Sequence, residues 1–491
     1  MARLVIFAVC ISRFTRSRVE ANFHLTIFVR STLLIIPSLA LLVGCAAYVE
    51  KGPRVRSANI EGDYEMVSRV AAASAEDQPN DALVWKLEEG AALRAQGDLK
   101  GSIKVLEEVE DRLRAEEGRP DFSLAGEGLA AFSNNYAQAY RAKPYDRIYA
   151  STYQVLNHLE SGNRAAARVS VNRLRFVQET FGSGILYQKE IKSERYDLAK
   201  ATQDDRTQEG LSIIKEELDG LTPGAAYDDA FSHWLQGLYF FRMGDGASDL
   251  ERARKEFTAA HALTKGCPTI EADLAECEAV LAGGAPTTRV VYVISETGNC
   301  PEWREQRVDI PLFVVALRVP YVSVALPALR PVGYDYKLRV QLEGKPVALA
   351  LASRTEGLIA KHFEAALPGI KAQAFTSAAV KATASYILNK SAEVSANRQN
   401  ISSGAALFAL ATKLGTAVYT VGTTKADLRN WSGLPARFSL ARVTAPVGAS
   451  LTIPGHPELS LNLPAGKVLL VSLKSTGENK PLTLRCTTLV P

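Results

Sequence analysis

The chain is poor in the residues and spacings that do chemistry. It has only six cysteines and six histidines among 491 residues. No C-x-x-C, H-E-x-x-H, G-x-S-x-G, Walker-type loop or G-x-G-x-x-G occurs, so no zinc ribbon, zincin helix, hydrolase elbow or nucleotide cradle is legible. Excess charge is missing too. The formal net charge of +4 equals the balance of Arg3, Arg13, Arg16, Arg18 and Arg30 against Glu20, leaving residues 45–491 neutral. A neutral body gives no electrostatic case for nucleic acid or an anionic lipid surface. With 22% charged and 47% hydrophobic residues, the composition is that of ordinary globular domains rather than a disordered or many-span membrane chain.

What is present begins at residue 31. From Ser31 to Gly44 the chain is almost wholly apolar or small, with Arg30 before it and Cys45 after it. That is a positive flank and an apolar core of secretory length, too short for a bilayer span of ~20 residues. The ending Leu42-Val43-Gly44-Cys45 resembles the bacterial lipobox. The resemblance implies cleavage before Cys45 and acylation of the new N-terminus, with palmitate among the chains. Several acyl chains anchor far better than one. Ala46, rather than Asp, follows the cysteine and favours the outer membrane. The length of leader before Ser31 places the true start downstream of Met1. The expected division is a signal segment over 1–44 and a lipidated tether over 45–60, followed by a helical domain over 61–283 and an α+β domain over 288–491.

Between Val55 and Val280 a motif recurs: an amphipathic helix, a Gly-Asp or Gly-Asn turn, then a second helix with small residues at the contact. Its turns are Gly97-Asp98, Gly162-Asn163 and Gly244-Asp245, the last with extra residues. This pattern resembles degenerate tetratricopeptide repeats, which stack because one hairpin cannot bury its apolar face alone and which hold a protein in the resulting groove. Tyr136, Tyr140, Tyr145, Tyr149 and Tyr153 fall at helical steps in a segment broken at Pro144. Such a stripe either lines a ligand groove or packs in a core or domain interface with its hydroxyls bonded. His233 and His261 read as packing residues rather than a metal pair, and no cofactor is expected.

After the Gly and Pro of "GGAPTTRV" (283–290) the period becomes strand-like. Strands are expected in "TRVVYVIS", "QRVDIPLF", "YVSVALPAL" and "YKLRVQLEGKPVALALAS". Helices follow, in "TEGLIAKHFEAAL", in a second stretch beyond Pro368, and in a buried or interface helix over 402–422. The chain closes with more strands, which gives an α+β fold with a largely antiparallel sheet. In "ADLRNWSGLPARFSLARV" the sequence sets Asp427 beside Arg429, gives Trp431 a large buried area and an indole N–H seeking an acceptor, and exits through Leu434-Pro435. The segment is a structural clamp or a partner patch. Cys267, Cys277, Cys300 and Cys486 fit no zinc spacing; a Cys267–Cys277 pair, a pair using Cys300, and four free thiols all stay open.

Three stretches together, "YDRIYASTYQVLNHLESGNRAAARVSVNRL", "IPLF…YVSVALPAL" and "TTKADLRNWSGLPARFSLARV", resemble a family of uncharacterised bacterial lipoproteins. Its members join tetratricopeptide-like helices to a C-terminal α+β region. The resemblance runs from Tyr145 to Val443 and departs at Asn430 and Ser432-Gly433. It implies location and architecture and carries over no catalytic residue. The expected function is a non-catalytic interaction scaffold, tethered through Cys45 to the outer membrane, facing the periplasm and holding an envelope protein. Tyr140, Tyr145, Tyr149, Tyr153, Arg429 and Trp431 are the candidate interface residues. The alternatives are a cell-wall hydrolase and a glycan-binding protein. The glycan reading requires Tyr140 and Tyr149 to face solvent.

Overall fold

The computed structural model describes residues 47–117, 138–184, 202–311, 321–332, 336–398 and 425–491. The signal segment, Cys45, Tyr136 and the helix expected over 402–422 lie outside these residues. Helices come first: α1 (Ala47–Glu61), α2 (Tyr64–Asp77), α3 (Ala82–Gln96), α4 (Leu99–Glu117), α5 (Pro144–Glu160), α6 (Arg164–Phe181), α7 (Asp205–Gly220), α8 (Ala230–Met243), α9 (Gly246–Leu263) and α10 (Pro268–Leu281). Short polar side chains start several of them. Asp63 caps α2 on Met66 N, Asn163 caps α6 on Ala166 N, and Asp229 caps α8 on Ser232 N, each satisfying an amide the helix leaves open.

The three expected hairpins are α3–α4, α5–α6 and α8–α9. Gly97 and Gly162 turn the chain in the left-handed region at φ 91° and 74°, where a Cβ is costly. In the third hairpin Gly244 is extended and Gly246 takes the left-handed conformation at φ 75°. The extra residues of that turn move the bend two positions on. Close approach explains two further glycines. A Cβ on Gly90 would lie 2.7 Å from Leu106, and one on Gly237 would lie 2.5 Å from the Phe257 ring. Pro144 does not break a helix but opens one: it stands in the first turn of α5, where its missing N–H costs nothing. All 17 residues of α5 are buried.

The strands are β1 (Val290–Thr297), β2 (Glu302–Pro311), β3 (Tyr321–Arg330), β4 (Val340–Leu342), β5 (Lys345–Val347), β6 (Ala350–Arg354), β7 (Arg437–Val443), β8 (Ser450–Thr452), β9 (Leu461–Asn462), β10 (Val468–Ser475) and β11 (Leu482–Val490). One sheet has the order β11-β10-β1-β7-β6, a second β5-β4-β8-β9, and β2-β3 is a separate pair. Only β1–β10 is parallel among the described pairings. The two larger sheets enclose an apolar core of Val291, Val293, Val340, Leu451, Leu469 and Val471 with their neighbours. Alternation along each strand sends the other set, Tyr292, Glu296, Ser472 and Lys474, to the opposite face of the first sheet. That face lies against the helices, and β1 and β10 are buried along their whole length.

One long helix, α11 (Thr355–Arg398), replaces the two helices expected on either side of Pro368. Proline removes one backbone bond and crowds the preceding turn, yet apolar side chains before and after it, Phe363 and Phe375, are both buried and hold the helix on course. Residues Val49–Pro491 form one compact unit, so the change of period near Pro286 is a change of layer within it. The stretch expected as a tether is likewise not loose: it is α1, with Val55, Ala58 and Asn59 buried.

The close contact at Gly237 is testable. Gly237→Ala gains about 1 kcal/mol of helix propensity but forces overpacking of about 1–3 kcal/mol against Phe257. The expected result is a net loss in urea unfolding, recovered at least in part when Phe257→Leu is added.

Candidate functional site

The candidate residues come together on α5 and the segment 425–436, and they are buried. Tyr140 is 3% exposed and Tyr149 0%. Tyr140 and Tyr149 therefore do not face solvent as direct glycan binding through them would require. Tyr145, Tyr149 and Tyr153 lie on α5 at steps of four. Tyr140 precedes the helix and gives its hydroxyl to Asp146 at 2.5 Å, while Asp146 also accepts the Lys143 N–H. The stripe meets the C-terminal half. Tyr149 stacks on Phe438 of β7 at 5.9 Å, Phe231 of α8 stacks on the same ring at 4.2 Å, and Tyr153 meets Trp431 edge-on at 5.6 Å. Such pairs each add about 0.5–1.5 kcal/mol beyond the area they bury.

The segment 425–436 is a clamp. Arg429 bonds Asp427 at 2.7 Å, Asp81 at 2.8 Å and the Gln138 carbonyl at 2.8 Å. Burial works against its charge, but the two carboxylates raise its pKa above the ordinary value. Its ring neighbour is Tyr140, 5.7 Å away. The expected Asp427–Arg429 pair is present, but the indole N–H of Trp431 has no acceptor among the described residues. What holds the segment instead is Glu88 of α3, whose carboxylate accepts the backbone N–H groups of Ser432 and Gly433 and the amide of Asn59. Burial raises the Glu88 pKa against these bonds.

Beneath the clamp is a charged cluster that sequence reading did not single out. Glu160, the last residue of α5, accepts bonds from Arg94 of α3 at 2.6 Å, Ser472 of β10 at 2.8 Å and Arg485 of β11 at 2.8 Å. Burial alone would raise its pKa; the two guanidiniums overcome that and hold it down at about 2. Glu296 of β1 accepts the Tyr153 hydroxyl at 2.8 Å and lies 3.4 Å from Lys474 of β10. Burial lowers the Lys474 pKa and raises that of Tyr153. Farther along the same face, Asp273 of α10 accepts from Trp234 at 2.8 Å and Tyr292 at 2.7 Å, and Arg442 lies 3.1 Å from it. One signal for these residues was available: Glu296 and Lys474 close two otherwise apolar strand runs, where a charge needs a partner.

The histidines also hold structure. His233 lies between Asp228 at 2.8 Å and Glu256 at 2.6 Å. Burial would lower its pKa, but the two carboxylates raise it to about 10. Burial takes His362 down to about 4, with its ring against the Tyr227 carbonyl. No group of His, Cys, Asp and Glu converges as a metal set among the described residues. Cys267, Cys277, Cys300 and Cys486 are all free. Cys267 caps the start of α10 and Cys277 sits near its end, about 15 Å along the axis at 1.5 Å per residue, far beyond disulfide reach.

The first helices of the hairpins, α3, α5 and α8, thus turn their inner face to the sheet, and the sheet covers it through Glu160, Tyr153, Phe231 and Trp234. The second helices α4, α6 and α9 lie outside, with Val169 and Phe176 of α6 exposed. No described helix is long and apolar enough to cross a membrane. The chain matches no known protein family, no curated protein and no solved structure.

Two substitutions test the cluster and its titration. Glu160→Gln leaves Arg485 without its carboxylate and Arg94 with Glu296 alone, 3.8 Å away, and a loss of about 3–5 kcal/mol in chemical unfolding is expected. For His362 the neutral ring is the folded form, so its contribution is whole above pH 6.5 and lost as pH falls from there toward 4. For His233 the protonated ring is the folded form, so its contribution is whole below pH 6.5 and lost as pH rises through 10. A stability–pH profile should lose part of its acid limb in His362→Gln and part of its alkaline limb in His233→Gln.

Proposed function

We propose that the chain is a lipid-anchored, non-catalytic interaction scaffold of a bacterial cell envelope, held by Cys45 in the outer membrane and facing the periplasm. The observation that supports this reading is the state of the charged side chains gathered between the helices and the sheet among the described residues. Glu160, Glu296, Asp229, Asp273, Arg94 and Lys474 are each at most 9% exposed, and each has a partner within the chain. Groups so placed align a fold; they have no open side on which to meet a substrate. The lipobox-like ending Leu42-Val43-Gly44-Cys45 supports the location.

The hairpins are read as degenerate tetratricopeptide repeats. The equivalent contacts Gly90–Leu106 and Gly237–Phe257, each next to a glycine turn, support the relation. The client is an envelope protein, and it engages the scaffold somewhere other than the inner helical face, which β1, β10 and β11 occupy.

The test is in-cell crosslinking and affinity capture, comparing the wild type with Cys45→Ser. Enrichment of one envelope protein by the wild type, at least about tenfold above the mutant, is the expected result; tethering raises local concentration by that order or more. Equal capture by both forms, or capture of cell-wall glycan with no protein, would sink the scaffold reading. Mass spectrometry of the N-terminal peptide checks the anchor separately, with three acyl chains expected on Cys45.

A further inference from the structure

The helix α1 begins at Ala47, two residues past Cys45, and it is docked onto the body within a few turns. Lys51 lies 3.6 Å from Asp77 at the end of α2. Val55 is 1% exposed. Arg56 donates to the carbonyls of Cys300 at 2.8 Å and Pro301 at 3.2 Å. Asn59 donates to Glu88 and Ser432, both at 3.0 Å, and Thr476 donates to the Ile60 carbonyl at 2.8 Å. The stretch expected to space an anchored body away from its membrane is therefore spent on packing. From Ala47 to Val55 the helix advances about 12 Å, and Cys45 stands only two residues before it, a reach of no more than about 7 Å of chain.

We propose that the anchor holds the folded body directly against the bilayer, with one defined end facing the headgroups; this rests on the acylation of Cys45 proposed above. The facing end is the start of α1 together with the end of α2 and the turn that follows, Gln78–Asp81. The opposite end is the β10–β11 turn. There Lys480 pairs with Glu61 at 2.6 Å, and Pro481 lies 3.0 Å from where a Cβ on Gly62 would sit, fixing that turn beside the last residues of α1. The two ends are separated by the length of α1, about 22 Å for its 15 residues. The facing end carries Glu50, Glu76 and Asp77 against Lys51 and Arg54, while Asp81 is paired with Arg429, so no positive excess meets the headgroups. Acyl chains, not headgroup charge, therefore supply the attachment, and it should differ little between zwitterionic and anionic bilayers.

The test uses the acylated protein extracted from its own membrane and reconstituted in phosphatidylcholine vesicles that carry a headgroup quencher. A fluorophore is placed on Glu76→Cys or on Glu478→Cys, both exposed positions, with Cys486→Ser in each to remove the half-exposed native thiol. The expected result is at least about threefold stronger quenching at position 76, given the ~22 Å offset. A flexible Gly/Ser insertion of about thirty residues after Ala46 should abolish the difference, since such a coil spans about 30 Å on average. Equal quenching at the two positions of an acylated protein overturns the apposition and leaves the anchor intact. Absence of acyl mass on Cys45 overturns both, and mass spectrometry identifies that failure before any fluorescence is read.

Discussion

A helix buried on every side must match its charged side chains within the protein, and α5 is such a helix. Every residue from Pro144 to Glu160 is covered, and among them are Asp146, Arg147, Asn157 and Glu160. Each must find its partner in the protein, because burying a charge alone costs far more than the contact returns. Glu160 is the sharpest case. A carboxylate at the C-terminal end of a helix faces the negative end of the dipole, and its ionised form persists because Arg94, Arg485 and Ser472 converge on it from three other elements. Through these bonds α3, β10 and β11 are all referred to the position of α5.

The same requirement shapes the sheet. A sheet with one wet face alternates apolar and polar residues along each strand. Here both faces are covered, so β1 carries Val291 and Val293 into the sandwich and Tyr292 and Glu296 toward the helices. The polar residues on the helical side are hydrogen-bonded rather than hydrated: Tyr292 to Asp273, Glu296 to Tyr153, Ser472 to Glu160. The sheet thus fills the surface that an array of helical hairpins would otherwise offer to a peptide, and the helical and strand regions share one interior.

Two distant stretches are fastened at one carboxylate. Glu88 of α3 accepts from Asn59, near the end of α1, and from Ser432 and Gly433 in the clamp. Chain that reads as a loose entry and chain that reads as a loop are both pinned to the same helix. That arrangement explains why α1 packs as part of the body.

The elements were legible from the sequence, because helix, turn and strand follow from local terms: a period of 3.6 or 2, the left-handed freedom of Gly97 and Gly162, and the strand-like runs after Pro286. The helical region followed by an antiparallel-rich sheet could be read in this way, and so could the Asp427–Arg429 pair two residues apart. The single helix across Pro368 could not, since long-range packing outweighed a local breaker. Nor could the partners of α5 be read: Glu160 lies 325 residues from Arg485 and Tyr153 lies 143 from Glu296. Sequence marked the tyrosines as a stripe with polar tips, and it left open whether they faced a ligand or a core. Only the tertiary structure decided that for Tyr140, Tyr145, Tyr149 and Tyr153, by laying the clamp, α11 and the sheet over them, because burial depends on which surfaces meet and no local pattern records the far side of a contact.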